Sequence, residues 1–73
     1  MKAAQINKLS AEIREKLETL EMYQEQKQDA LDNEAGREYP NDERLDKLQG
    51  QVDLLEEAAQ MLGEACDILD TYE

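Results

Sequence analysis

The chain has 73 residues, one cysteine, no histidine and a formal net charge of −11. It has room for a single domain, and a domain this short buries only about 60% of the surface its unfolded form exposes; with one thiol and no histidine, neither disulfides nor a structural zinc site is expected to stabilise it. The acidic balance argues against direct binding to nucleic acid or anionic lipid, no apolar run approaches the ~20 residues of a membrane span, and the lone thiol with polar sequence following Met1 points to the cytoplasm.

The first predicted helix covers residues 3–35, a stretch without proline and without an internal glycine. Its apolar residues Ile6, Leu9, Ile13, Leu17, Leu20 and Leu31 fall at helical spacing and define one face. The opposite face offers oppositely charged pairs four residues apart, Glu12 with Lys16 and Arg14 with Glu18. Residues 36–41 form the predicted loop. Gly36 suits a left-handed residue that ends the helix, and Pro40 cannot continue one. Asn41 suits an N-cap, with Asp42 and Glu43 placing negative charge at the positive end of the helix dipole. Tyr39 or Pro40 is expected to fold back on Leu45 as a hydrophobic staple.

The second predicted helix covers residues 42–72 and carries two apolar series. Leu45, Leu48, Val52, Leu55, Ala59, Leu62, Cys66 and Leu69 alternate in steps of three and four, a heptad seam held over three heptads. Leu54, Ala58, Met61, Ala65, Ile68 and Tyr72 repeat that alternation about 100° around the helix. Two helices of similar length with a short connection predict an all-α fold, an antiparallel two-helix hairpin of coiled-coil type. Folding about residue 38 sets Leu31 near Leu45 and Leu48, Tyr23 near Val52, Leu20 near Leu55, Leu17 near Ala59, Ile13 near Leu62, Leu9 near Cys66, and Ile6 near Leu69. Gln24, Lys27 and Gln28 then oppose Lys47, Gly50 and Gln51, which predicts a looser, solvated waist.

The first helix can cover only one of the two seams. An exposed apolar stripe of that length marks a binding surface, and burying each large side chain is worth about 1.5–3 kcal/mol. The expected solution is a homodimer in which Leu54, Ala58, Met61, Ala65, Ile68 and Tyr72 form the interface and two hairpins make a four-helix bundle.

Residues suited to chemistry are few. Cys66 lies on the inward seam, without a histidine to activate it and beside acids that raise a thiol pKa, so it reads as a core side chain. Helix-borne carboxylates could bind a divalent cation, but bundle metal sites also use inward histidines. With no phosphate loop or nucleophile–base set, no cofactor, metal site or catalytic residue is expected, and the protein is read as a non-enzyme; a metal- or small-ligand-binding bundle is the weaker alternative. Residues 48–73 hold seven acids and no base. Asp53, Glu56, Glu57, Glu64, Asp67 and Asp70 therefore form a candidate acidic partner face that fits a protein with a basic cleft, in the manner of a nucleic-acid mimic.

The stretch from Gln24 to Asn33, most distinctively Ala30-Leu31-Asp32-Asn33 before the loop, together with the Leu/Ala pattern from Leu55 to Leu69, resembles small acidic hairpin proteins of bacterial mobile elements and phages. The resemblance spans roughly the last 50 residues and brings no functional residue with it. It implies a mobile-element or phage accessory protein, a setting that includes small acidic inhibitors of host nucleases such as anti-CRISPR proteins. The expected function is a helical protein–protein interaction module that is homo-oligomeric; the alternative is an acidic mimic that inhibits a host DNA- or RNA-processing enzyme.

Overall fold

A computed structural model describes residues 3–72, and among them there are two helices and no strand. Helix α1 spans Ala3–Ala35 and helix α2 spans Asp42–Asp70. They lie antiparallel in a rod 57 Å long. Residues 1, 2 and 73 of the predicted 1–73 domain lie outside the described residues.

The turn is built from polar contacts. Gly36 N donates to Asp32 O at 3.0 Å and Arg37 N to Glu34 O at 3.3 Å, so the helix tightens as it ends. No described residue has a positive φ, which corrects the expectation of a left-handed Gly36: the helical hydrogen bond it keeps removes the need for one. Asn41 does cap α2, its Oδ1 accepting from Arg44 N at 3.1 Å. Tyr39 projects into solvent instead of stapling Leu45. At the far end α2 stops at Asp70, two residues short of expectation. Thr71 is the C-cap, where its N–H donates to Ile68 O and its Oγ1 donates to the same carbonyl at 2.7 Å.

All eight residues of the α2 seam, from Leu45 to Leu69, are buried or half-buried, with Cys66 at 0% exposure. The matching inward row of α1 is Ile6, Ser10, Ile13, Leu17, Leu20, Gln24, Leu31 and Glu34. It keeps heptad spacing, except that Lys27, the step between Gln24 and Leu31, is exposed, and it admits three polar residues, which counting apolar positions alone passes over. Two expected contacts are thereby corrected. Ser10, not Leu9, meets Cys66, whose thiol donates to Ser10 O at 3.7 Å, while Leu9 is 41% exposed. Gln24, not Tyr23, turns inward, and Tyr23 is 53% exposed.

The expected solvated waist is corrected too. Leu48 and Val52 are among the most buried residues of the chain. Gln24 and Gln51 are half-buried at this level, and glutamine can lay its methylenes on apolar neighbours while its amide stays wet. Gly50 points away, with nothing within 4 Å of an added Cβ.

Candidate interaction surfaces

An antiparallel pair of helices has two flanks, and the inward rows fix which residues belong to each. One residue of helix turns by about 100°, so positions just after the inward ones lie on one flank and positions just before them on the other. Contacts establish that the "after" positions of the two helices share a side. Arg14, following Ile13, reaches Asp70, following Leu69, and also Asp67, following Cys66, at 3.6 Å. The "before" positions therefore share the opposite side.

On that opposite flank α2 presents Leu54, Ala58, Met61, Ala65 and Ile68. Leu54 is 67% exposed, Met61 62% and Ile68 69%, large apolar side chains left to solvent. Ala58 and, at the end of the row, Tyr72 are exposed, and Ala65 is half-buried. The α1 contribution is unforeseen in the sequence reading: Leu9 and Tyr23, released from the core by Ser10 and Gln24, fall on this same flank. The exposed apolar surface is thus a face of the hairpin and not only a stripe on α2. Between Leu9 and Tyr23 its charged residues are Glu12 and Lys16. Among the described residues these two form no ion pair within the chain, although their spacing permits one.

The other flank is acidic. Its "after" positions hold nine carboxylates, among them Glu18, Glu21, Glu25, Asp53 and Glu56, against the single base Arg14. A shallow groove of about 860 Å³ runs between the helices there, rimmed by Glu18, Glu21, Glu25, Asp29 and Glu56 over the exposed Met22. Of the residues expected to form the acidic partner face, Asp53, Glu56, Asp67 and Asp70 belong to this flank. Glu57 and Glu64 sit further round, on the outer back of α2. All six are exposed, but not all are unengaged. Asp53 accepts from Gln49 at 2.9 Å.

Asp70 is the clearest departure from a free acidic face. Its carboxylate accepts from Ser10 Oγ at 2.8 Å and from Arg14. Those two hydrogen bonds, the Ser10 one first, hold its pKa below the usual carboxylate value, and the Arg14 guanidinium is raised in return, chiefly by its hydrogen bond to Asp70. The expected Arg14–Glu18 pair gives way to this cross-helix clamp. It closes the open end of the hairpin around Ser10 and Cys66, both buried.

A second clamp closes the loop end. Glu34 is buried, yet two guanidinium groups and a backbone amide surround it: Arg37 Nη1 donates to its Oε2 at 2.8 Å, Asn41 N to its Oε1 at 3.4 Å, and Arg44 Nε lies 3.9 Å away. The Arg37 hydrogen bond is the main cause that holds the Glu34 pKa below its ordinary value, against the desolvation that would raise it. Neither clamp was legible as such, because ion pairs between residues 53 or more apart in sequence, or across a turn of unknown path, leave no periodic signal.

Among the described residues no three histidine, cysteine or acidic side chains converge to hold a metal ion, and no helix is long and apolar enough to cross a membrane. Comparison with protein-family models, curated protein sequences and solved structures finds no match. The resemblance to mobile-element hairpins therefore gains no support from them, and the surfaces themselves carry the functional reading.

Proposed function

We propose that the protein is a non-enzymatic helical interaction module that self-associates through its apolar flank, two hairpins making a four-helix bundle. The supporting observation is the row Leu54, Met61 and Ile68, each more than 60% exposed on a helix whose inward seam is already covered. A rod of two helices has no third layer to cover such a row, and apolar faces of helices are buried by another element. Charge favours the same pairing. With −11 on each copy, two chains repel, and joining the apolar flanks turns the acidic flanks outward, to the greatest separation available.

Sedimentation velocity over nanomolar to micromolar protein tests this. The expected result is a concentration-dependent dimer that Met61→Glu with Ile68→Glu converts to monomer, because a buried unpaired carboxylate costs several kcal/mol. A folded wild-type monomer at tens of micromolar would overturn the reading.

The concentration of acid on the outward flank favours a second reading, in which the assembled rod, as a mobile-element or phage accessory, occupies the basic cleft of a host DNA- or RNA-processing enzyme. Lysine substitutions at Asp53, Glu56 and Asp67 are then expected to weaken binding and its salt dependence without loss of helix. Binding indifferent to salt and to those changes would remove it.

A further inference from the structure

Resting on the self-association proposed above, the geometry points to one particular dimer: we infer that the two hairpins cross their apolar flanks about a two-fold axis perpendicular to the rods, passing at the level of Arg14 and Gly63, with Glu12 and Lys16 of each copy paired to Lys16 and Glu12 of the other. About such an axis α1 lies on the partner's α1 and α2 on the partner's α2, each antiparallel. Residues equidistant from the axis on opposite sides then meet.

Three observations converge on its level. On α1 the charges of the apolar flank lie two residues either side of position 14, so a crossing there sets Lys16 opposite the partner's Glu12 and repeats the pair by symmetry. Neither group is spent on an ion pair within its own chain among the described residues. On α2 the apolar row is symmetric about position 63: Leu54 falls opposite the partner's Tyr72, Ala58 opposite its Ile68 and Met61 opposite its Ala65, so that small side chains face large ones where the α2 backbones come close. The hairpin's internal register ties the two levels together. Ser10 O lies 3.7 Å from Cys66 Sγ, Arg14 is 3.6 Å from Asp67, and Leu17 Cδ2 would be 4.0 Å from a Cβ at Gly63; because the helices run antiparallel, these contacts put position 14 beside positions 62–67, a range that includes 63.

Other crossings match less well. An axis at Met61 stands level with Lys16, so it sets Lys16 opposite its own copy and Glu12 near the partner's Thr19. A two-fold along the rods stacks α1 on the partner's α2 at equal height, which sets Lys16 on Met61 and Glu12 on Ala65, charges without partners over an apolar row.

The two single variants Glu12→Lys and Lys16→Glu test the register, since both sites are exposed and leave the inward rows untouched. At low salt each variant alone is expected to dimerise about ten-fold more weakly than the wild type, the scale of two exchanged ion pairs at a partly exposed site. An equimolar mixture, with one variant labelled with nitrogen-15 and followed by native mass spectrometry, is expected to restore wild-type affinity as a mixed dimer. Global charge predicts the reverse for Glu12→Lys, which lowers the net charge from −11 to −9 and would strengthen pairing. A stronger Glu12→Lys homodimer, or a mixture no tighter than its components, overturns the register and leaves the apolar flank standing. Loss of dimer in the wild type itself, or its persistence in Met61→Glu, overturns the reading on which the register rests.

Discussion

Along α2 the inward positions from Leu45 to Leu69 are apolar or sulfur-bearing without exception, whereas along α1 the same spacing passes through Ser10, Gln24 and Glu34. The two rows do different work. The α2 row supplies transfer free energy along its whole length, while the polar members of the α1 row fix the ends. Ser10 engages Asp70 at the open end, Glu34 engages Arg37 and the Asn41 amide at the loop, and Gln24 lies between them. An all-apolar seam tolerates sliding by a heptad with little loss; polar groups that find partners only in one alignment specify it. The comparison teaches that affinity between the helices and register between them reside in different helices.

Substitutions that strike one row and spare the other can break that division. The largest effect is expected at Leu48, buried on the apolar row: Leu48→Ala should cost about 2–4 kcal/mol by loss of transfer free energy and an incompletely filled cavity. Urea titration at fixed protein concentration measures it. A loss below about 1 kcal/mol would mean the apolar row is not what holds the helices together.

A smaller change of opposite sign is expected at Gly50, on the same helix but off the row. Its φ is not positive, and an added Cβ meets nothing within 4 Å. Gly50→Ala should therefore stabilise by about 0.5–1 kcal/mol through helix propensity alone. A destabilisation would show that this part of α2 is covered by something, and the dimer register would need revision there.

The smallest expected effects concern the α1 locks and depend on pH. Glu34 and Asp70 both have folded-state pKa values below their ordinary ones. Each contributes stability above the unfolded carboxylate pKa, and that contribution is lost as pH falls through the depressed folded value. Stability attributable to them is thus present at neutral pH and declines on the acid side. Glu34→Gln should lower stability at pH 7 and flatten the acid limb of the stability–pH curve relative to the wild type. An unchanged slope would dissociate the Glu34 clamp from folding.

Much of the architecture was readable because it rests on period. The two helices, their break between Gly36 and Asn41, and the α2 seam all follow from spacing and cap chemistry. What escaped was the rotation of α1. Counting apolar residues places Leu9 and Tyr23 inward, one position from Ser10 and Gln24, and a helix turned by that small angle exposes a different flank. Leu9 and Tyr23 were thereby missed as surface residues, although the α2 half of the apolar flank was legible from its own second series. The waist differs for a related reason: Gly50 faces open space and Lys27 is exposed, while Leu48 and Val52 stay protected. The engagement of Asp70 leaves no local signal in the sequence, because its partners Arg14 and Ser10 lie on the other helix.

Cys66 is the sole cysteine and is sealed beneath the open end, its thiol donating to Ser10 O. A thiol reagent can consume it only in molecules whose helices have separated there. The protein thus contains its own clock for fraying: the labelling rate, compared with that of an unprotected thiol, measures how often this end parts. Whether that rate slows as protein concentration rises tells directly whether association holds the open end shut.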